Sequence, residues 1–320
     1  MALRIAIVGP GRVGIAFARR FVRAGVHVLG FVGRDRARTE SCIEGLDVDL
    51  SKFGQLKPDQ AKPDQAKLRV LTWPDVHTAH VVIFAVGDEQ LSSAIEAAVA
   101  VGGRPCSLWL HTSGRHGLDV FAKAQSLGVR IGALHPLLPF SGSVETQSMQ
   151  GALALLLGEP RSLRLLHRLC AQLELQPIVC AAIGAAEGGV SNHNRPLYHA
   201  ACALAANGAT SLFGLASDLL QRAGGIASED CDRIVASLMH AAAAASEQHG
   251  AGKALSGPVR RGDAQTVAAH LIALNAEAKT AVPAYVALMN GALLLARDQG
   301  LAPVDCERIA SALSLLRPSS

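Results

Sequence analysis

Short apolar runs recur along the first half of the chain, and glycine, proline or polar residues separate them. The runs predict eight strands, at about residues 3–8, 26–32, 69–71, 81–86, 107–111, 130–134, 153–157 and 177–180. Several runs are apolar at consecutive positions, which is typical of strands that are buried on both faces of a parallel sheet. Helical or loop segments separate them, including a helix at about 160–173, so the alternation predicts a doubly wound, mostly parallel α/β sheet.

From about residue 192 onward the apolar positions follow the period of an α-helix. Segments rich in alanine and leucine predict five helices, at about residues 195–222, 228–248, 264–280, 283–299 and 304–316. Ser228 and Asp263 stand where N-cap residues are expected. We therefore predict two domains, an α/β domain over residues 1–185 and an all-helical domain over residues 186–320.

A glycine-rich turn joins the first predicted strand to the helix that follows it. The turn consists of Gly9, Pro10, Gly11, Arg12, Val13 and Gly14, which match the pattern G-x-G-x-x-G. In this pattern the first glycine makes a tight turn, the second lets the backbone approach a pyrophosphate, and the third lets helix and strand pack closely. The required strand, turn and helix are all present, so we predict a Rossmann-type dinucleotide site here. A purely structural turn is the alternative.

The residues after the second predicted strand indicate which dinucleotide binds. Gly33, Arg34 and Asp35 occupy the place where an acidic residue binds the ribose of NAD, or an arginine binds the 2′-phosphate of NADP. The guanidinium of Arg34 matches phosphate oxygens, so we predict NADP as the cofactor, with NAD as the less favoured alternative because of Asp35. A solvated basic stretch at the start of a helix is the other interpretation.

Other predicted strands end in small and polar residues that border the same crevice, because ligands bind beyond the carboxyl ends of parallel strands. Val86, Gly87, His111 and Ser113 are predicted to bind the cofactor, and Ser113 and His135 to face the substrate. His135 precedes a proline, which cannot continue a central strand, so His135 is placed in the crevice rather than in the core. Capping of the next helix is the alternative for His111 and Ser113.

Two polar residues of the predicted helix at 195–222 are further candidates. His199 and Asn207 lie within about 80° of each other on a helical wheel, so His199 could act as acid or base and Asn207 could orient a substrate. Both could instead be satisfied at a helix contact. A loop at 255–263, shaped by glycines and a proline, contains Arg261, which is predicted to hold a substrate carboxylate.

Composition and charge limit the class of protein. The 320 residues are 50% hydrophobic and 18% charged, which describes a globular protein with a substantial core. The net charge of +4, the scattered arginines and the 4% aromatic content argue against a nucleic-acid groove. The first strand begins close to Met1, apolar stretches are too short for a membrane span, and the seven cysteines form no Cys-x-x-Cys pair. These features predict a cytoplasmic protein with reduced thiols.

Motifs for other chemistry are missing from the sequence. Neither a His-Glu-x-x-His metal motif nor a Gly-x-Ser-x-Gly elbow occurs, so we predict no metal site and no hydrolase.

Residues 57–61 and 62–66 repeat the sequence Lys-Pro-Asp-Gln-Ala in tandem. With a proline in each copy and no apolar face, this repeat is predicted to be a flexible surface insertion.

Seven motifs, taken together and in order, resemble an uncharacterised bacterial family that joins an NADP-oxidoreductase-type Rossmann domain to a helical domain of unknown function. They are the glycine turn at 9–14, Gly33-Arg34-Asp35, Ala85-Val86-Gly87-Asp88, His111-Thr112-Ser113-Gly114, Leu134-His135-Pro136-Leu137, Tyr198-His199-Ala200-Ala201 and the segment 255–263. The family is similar to pyrroline-5-carboxylate reductase, ketopantoate reductase and the β-hydroxyacid dehydrogenases, and its helical domain to the C-terminal domain of 6-phosphogluconate dehydrogenase. The resemblance implies hydride transfer to or from small C=O or C=N substrates in a cleft between two domains, and a homodimer.

One position departs from the β-hydroxyacid dehydrogenases. Those enzymes place a catalytic lysine one helical turn before an asparagine, and if Asn207 is that asparagine, Ala203 occupies the lysine position. One hypothesis is an NADP-dependent oxidoreductase of a small, carboxylate-bearing carbonyl or imine, with His135 or His199 as the acid or base. The second hypothesis is a non-catalytic NADP-binding sensor or partner protein.

Overall fold

The computed structural model describes residues 3–44, 68–140, 148–180 and 194–314. The chain forms two compact units, Met1–Ala206 and Asn207–Ser320. The predicted domain boundary between residues 185 and 186 lies outside the described residues, and so does the tandem repeat at 57–66.

Eight strands form one sheet in the first unit. They are β1 (Arg4–Val8), β2 (His27–Val32), β3 (Arg69–Val70), β4 (Val81–Phe84), β5 (Leu108–His111), β6 (Arg130–Pro136), β7 (Leu153–Gly158) and β8 (Gln176–Val179). Their order in the sheet is β3-β2-β1-β4-β5-β6-β7-β8. All neighbouring strands are parallel except β6 and β7, which are antiparallel. The predicted fold class, a doubly wound and mostly parallel sheet followed by helices, is confirmed.

Helices alternate with these strands along the chain. They are α1 (Arg12–Arg23), α2 (Arg36–Glu44), α3 (Asp88–Ala100), α4 (Ala122–Gln125), α5 (Pro160–Leu173) and α6 (Arg195–Ala203), with 3₁₀ turns at Pro74–Thr78 and Leu118–Phe121. In β1, the fully buried Ile5 and Ile7 belong to one core cluster with Phe17 of α1. Ala6, between them, belongs to a second cluster with Leu91 of α3. Both faces of the sheet are therefore buried, which explains why its strands are continuously apolar.

Strand β6 is longer than the sequence predicts and includes Pro136. Its pairing with β5 ends at Ala133, and from there onward it pairs only with β7, up to Pro136 opposite Ala154. A proline fits a strand position that has a neighbour on one side only, because no ladder hydrogen bond is lost there. His135 consequently lies within β6 at the carboxyl edge of the sheet, and its side chain is half-buried.

The second unit consists of helices. They are α7 (Ala209–Ala223), α8 (Ser228–His249), α9 (Ala251–Ala254), α10 (Pro258–Arg261), α11 (Ala264–Glu277), α12 (Val282–Asp298) and α13 (Pro303–Ser314), with a 3₁₀ turn at Lys279–Ala281. A π-helical stretch, Leu204–Gly208, contains the point where the chain passes from one unit to the other. The core of the second unit includes Val267, Leu271 and Ile309.

Two helical stretches, Arg195–Ala223 and Lys279–Asp298, have the length and the apolar composition of a membrane span. This differs from the expectation that every apolar stretch is too short. Core helices of soluble proteins meet the same two criteria, so this finding is weak support for a membrane span.

Local structure in the second unit agrees with the sequence at one predicted cap and differs at another. Asp263 caps α11 as predicted, since its carboxylate accepts a hydrogen bond from the Thr266 backbone N–H at 3.0 Å. Ser228 does not cap α8, because it is already the first helical residue and its hydroxyl accepts a bond from Gln221. The segment 255–263, predicted to be a loop, contains the short helix α10.

Candidate active site

The glycine turn has the geometry that a dinucleotide loop requires. Gly9 has a φ of +102°, and a Cβ there would lie 2.6 Å from the carbonyl oxygen of Ala85. A Cβ at Gly14 would collide with the carbonyl oxygen of Gly9. By contrast, the nearest atom to a Cβ at Gly11 is 3.9 Å away, so the space beside Gly11 is open. The structure thus requires Gly9 and Gly14 for packing, whereas Gly11 is not required by the fold.

Helix α1 begins at this turn without a side-chain cap. Gly11 is its N-cap residue and, having no side chain, makes no side-chain capping bond. Uncapped N–H groups at a helix N-terminus, together with the helix dipole, favour an anion. The side chain of Arg12 donates to the carbonyl oxygen of Phe140 at 2.8 Å, so this guanidinium already has one partner.

Arg34 and Asp35 differ in what they already bind. The Asp35 carboxylate accepts a hydrogen bond from the Arg38 backbone N–H at 3.0 Å, and the Asp35 carbonyl accepts one from the Thr39 hydroxyl at 2.6 Å. Asp35 is therefore occupied at the start of α2. Arg34 is exposed, and its guanidinium has no hydrogen bond or ion pair with any described residue. This difference favours the phosphate-binding interpretation of the pair over the ribose-binding one.

His135, Tyr198 and His199 lie together at the carboxyl edge of the sheet. A hydrogen bond of 2.8 Å joins His135 Nδ1 to the Tyr198 hydroxyl. The rings of His135 and His199 are 6.5 Å apart between centroids. A Cβ at Gly114 would lie 2.7 Å from His135 Cε1 and 2.8 Å from His199 Nδ1. These two predicted site residues therefore enclose the end of the His-Thr-Ser-Gly motif.

Arg195 attaches the start of α6 to this edge. Its side chain is buried, and it donates to the carbonyl oxygens of Ser113 at 3.2 Å and His116 at 3.1 Å. Its guanidinium also lies over the Tyr198 ring, 4.7 Å from the centroid. The sequence interpretation missed Arg195 and Tyr198 as site residues. Tyr198 lies in one of the seven motifs, whereas the burial of Arg195 has no signal in the sequence.

Burial changes the protonation of this group. The pKa of His135 is lowered to about 4, first by burial and then by electrostatic interaction with Arg195 and His199. Burial also raises the pKa of Tyr198, and a hydrogen bond with Cys202 adds to the effect. Both rings are consequently neutral near pH 7, so the hydrogen bond between them joins two neutral groups that share one exchangeable proton.

One nitrogen in this group has no partner among the described residues. His199 Nδ1 is buried and makes no hydrogen bond with any of them. A buried polar atom without a partner is costly, and in native structures it often marks a functional position. This nitrogen lies close to Gly114, since a Cβ built there would be 2.8 Å from it.

His111 and Ser113 have structural partners. The His111 ring is fully buried, stacks on Phe121 at 5.6 Å and is joined through Nε2 to the Gly117 carbonyl at 3.1 Å. The structure therefore leaves no surface of the His111 side chain for the cofactor contact predicted for it. The Ser113 hydroxyl accepts hydrogen bonds from the backbone N–H groups of Arg115 and His116, which is the turn-capping alternative.

The remaining predicted residues lie at two other places. Val86 packs at Gly9, and Gly87 is the N-cap residue of α3. Asn207 and Arg261 belong to the second unit, and both side chains are exposed. Asn207 lies in the π-helical stretch, where hydrogen bonds run from i to i+5. The predicted angle of about 80° between His199 and Asn207 assumes 3.6 residues per turn, so it does not apply across this stretch. Their roles toward a substrate stay predictions.

In the described part of the chain, no three His, Cys, Asp or Glu side chains are grouped as ligands of a metal ion would be.

Comparison with known proteins identifies a domain and a fold. Residues 158–291 match the family model described as a domain of unknown function, DUF2520. None of the curated proteins matches this sequence significantly.

Several solved structures share the fold. A "putative NADP oxidoreductase" of Bacteroides fragilis is 16% identical with a TM-score of 0.63, covering 93% of this chain and 97% of that chain. A protein of Thermotoga maritima is 18% identical with a TM-score of 0.61, covering 92% and 99%. An imine reductase of Aspergillus terreus, in complex with NADPH4, is 16% identical with a TM-score of 0.55, covering 97% and 94%. Residues 158–291 are therefore similar to the DUF2520 domain, and the chain shares the fold of these solved structures, in line with the resemblance that its motifs indicated.

Proposed function

We propose that this protein is an NADP-dependent oxidoreductase that transfers hydride between nicotinamide and a small, carboxylate-bearing carbonyl or imine. One observation carries the proposal: an open glycine turn and a proton-holding His135–Tyr198 pair occur at the same edge of one parallel sheet. The turn can bind a dinucleotide, and the pair can exchange a proton with the substrate. Reduction of C=O or C=N needs both a hydride and a proton.

The residues at the carboxyl edge of the sheet fit NADP. The open space beside Gly11 admits a pyrophosphate, and the uncapped N-terminus of α1 supplies N–H donors to it. The unpartnered guanidinium of Arg34 binds the 2′-phosphate, because its fork of N–H groups matches phosphate oxygens. When bound, the cofactor supplies the hydride chemistry.

The proton comes from the His135–Tyr198 pair. As hydride reaches the substrate, negative charge develops on the carbonyl oxygen or imine nitrogen, and a neutral donor nearby can transfer a proton to it. Near pH 7 the Tyr198 hydroxyl carries the proton to be transferred, the neutral His135 ring can accept a proton, and the hydrogen bond between them orients both rings. This assignment fills the role that the lysine has in the β-hydroxyacid dehydrogenases and that Ala203 cannot have.

Two further residues, one in each unit, have proposed roles toward the substrate. His199 Nδ1, which has no hydrogen-bond partner among the described residues, is proposed to bind a polar group of the substrate. Arg261, exposed in the second unit, is proposed to bind the substrate carboxylate, as its sequence context predicts.

The test combines binding and turnover. Thermal unfolding is measured with NADP(H) and NAD(H), because a ligand that binds the native state raises stability by mass action. NADPH oxidation is then measured with a panel of 2-oxoacids, aldehydes and cyclic imines. We expect a larger shift with NADP(H) than with NAD(H), turnover of at least one substrate class, and its loss in the double variant His135→Ala/His199→Ala. Equal or absent shifts with the two cofactors contradict the choice of NADP.

A non-catalytic NADP sensor is the second candidate, and Ala203 is the observation that favours it. Tight NADP binding without turnover across the whole panel supports the sensor and excludes the enzyme within those substrate classes.

A second copy of the chain is proposed to cover part of the second unit. Leu238, Ile272 and Leu294 are 65%, 70% and 54% exposed, and burial against a second copy would remove these apolar side chains from water. Isologous pairing of two copies is the commonest way to bury such a surface. Light scattering after gel filtration tests this proposal: a dimer mass supports it, and a monomer mass contradicts it.

A further inference from the structure

A cavity lies at the amino edge of the sheet, which is opposite the edge that carries the candidate active site. Its volume is about 620 Å³. His80 and Ser107, which line it, directly precede β4 and β5, and Arg130 is the first residue of β6. The cavity therefore lies at the amino ends of the parallel strands, away from the glycine turn and the His135–Tyr198 pair.

Five arginines line this cavity. They are Arg104, Arg130, Arg161, Arg164 and Arg168, and none of the described residues that line the cavity carries a carboxylate. The last three lie at positions i, i+3 and i+7 of α5, so they share one face of that helix. The Arg130 guanidinium donates to the Cys106 carbonyl oxygen, at 3.0 and 2.7 Å. The other four guanidinium groups have no hydrogen bond or ion pair with the described residues.

Neighbouring groups add to the positive potential. Arg4 Nε is buried and makes no hydrogen bond with any described residue. The pKa of His80 is lowered by burial and then by the positive charges of Arg104 and Arg4. The Arg4 backbone N–H donates to His80 Nδ1 at 3.1 Å, so the neutral His80 ring carries its proton on Nε2 and is a further donor in the cavity wall.

Without a bound anion, this grouping of arginines lowers the stability of the folded protein. Arg161 lies in the first turn of α5, where the positive end of the helix dipole disfavours a cation. The N-cap residue, Glu159, makes no side-chain capping bond. Guanidinium groups of like charge around one cavity also repel one another. A bound anion removes both costs, since it pairs with the guanidinium groups and with the helix N-terminus.

We propose that this cavity binds a small phosphorylated molecule with at least two negative charges. Its volume is within the range of ligand pockets and exceeds the space that a single phosphate ion needs. Guanidinium groups bind phosphate oxygens in pairs, and five of them offer more donors than one phosphate can accept. This site is separate from the proposed oxidoreductase function and does not depend on it.

The test uses Cys106 as a local reporter, because this exposed residue also lines the cavity. Alkylation of Cys106 is followed by peptide mass spectrometry with inorganic phosphate, pyrophosphate, adenosine monophosphate or a sugar bisphosphate. The exposed Cys180 is the internal reference. We expect pyrophosphate and at least one organic phosphate to slow alkylation of Cys106 but not of Cys180. The local reporter separates this cavity from the glycine turn, to which phosphates could also bind.

The arginines are tested with a charge-matched pair of triple variants. Arg161→Gln/Arg164→Gln/Arg168→Gln removes three exposed charges from the cavity, and Arg233→Gln/Arg297→Gln/Arg308→Gln removes three exposed charges elsewhere. The first variant is expected to weaken pyrophosphate binding by roughly 10- to 100-fold by calorimetry, because charge-assisted hydrogen bonds are lost, and the second by less than about twofold. Equal losses in both variants, or no protection of Cys106 by any probe at millimolar concentration, overturn the proposal. If inorganic phosphate protects Cys106 and none of the other probes does, the proposal that the ligand is a phosphorylated organic molecule is wrong.

Discussion

The two edges of the sheet in the first unit carry opposite kinds of polar groups. At the carboxyl edge, His135 and Tyr198 are neutral, and a hydrogen bond joins them. At the amino edge, arginines surround a cavity, and a guanidinium cannot lose its proton in a protein. Groups of the first kind can exchange a proton with a ligand, whereas groups of the second kind offer a fixed charge. The same fold thus supports chemistry at one edge and binding of an anion at the other.

The largest effect is expected from removing the proton at the carboxyl edge. Tyr198→Phe deletes the hydroxyl that bonds His135 and is expected to lower kcat by about 10²- to 10⁴-fold, as for loss of a general acid. Steady-state kinetics with NADPH and the best substrate of the panel measure it.

The second unit offers a matched control for this variant. The Tyr285 hydroxyl bonds His270 Nδ1 at 2.8 Å, the same distance as in the pair at the carboxyl edge. Tyr285→Phe therefore removes a similar bond at a residue to which no role in the reaction is assigned, and it should leave kcat within about twofold. Equal losses in the two variants contradict a catalytic role for Tyr198.

Acid should destabilise the carboxyl edge through its buried histidines. The pKa of His111 is about 4 in the folded protein, mainly because of burial, against about 6.5 when unfolded. The unfolded chain binds more protons between these values, so stability is full above about pH 6.5 and falls as the pH drops toward 4. His111 alone accounts for about 3 kcal/mol of this loss.

Urea unfolding at several pH values measures the effect. His111→Gln should flatten the dependence of stability on pH in this window, whatever its effect on absolute stability. The exposed His249→Gln variant is the control. An unchanged slope in His111→Gln means that the ring is not the group that titrates.

Gly11→Val separates a binding turn from a structural one. A Cβ at Gly11 meets open space and its backbone is extended, so the loss of stability should be about 1 kcal/mol, the cost of a poorer N-cap residue. The same side chain fills the space proposed for the pyrophosphate, so the Kd for NADP should rise about 100-fold. Calorimetry and urea unfolding measure the two quantities, with Gly214→Ala as the control at a glycine with no neighbour within 4 Å. Unchanged affinity in a folded variant means that the turn is structural only.

The smallest effect concerns the choice of cofactor. Arg34→Gln should weaken NADP binding by roughly 10-fold and leave NAD binding unchanged, because only NADP has the 2′-phosphate. Arg36→Gln is the control, since Arg36 already pairs with Glu40 at 2.9 Å. A similar loss for both cofactors assigns Arg34 a general rather than a discriminating role.

The sequence pattern predicted most elements of the fold, because burial on two faces leaves continuous apolar runs such as residues 81–84. It also predicted which segments end at the carboxyl edge. It could not predict the Tyr198–His135 bond, since 63 positions separate the two residues and only the packing of α6 brings them together. The burial of His111 depends on Phe121 in the same way.

The arginine cavity shows this limit most clearly. Along the sequence its arginines look scattered, and this spacing was part of the argument against a nucleic-acid groove. A parallel sheet brings the starts of distant strands to one edge, so Arg104 and Arg130 meet the arginines of α5 there. Spacing along the chain therefore says little about charge density at the edges of such a sheet.

Gly114 has a consequence for how related sequences should vary. The imidazoles of His135 and His199 occupy the space that a side chain at Gly114 would need. The three positions should therefore covary: homologues that keep both histidines should keep the glycine, and homologues that replace both with small residues should accept alanine there. Covariation of this kind would mark the extent of the subfamily that shares this site.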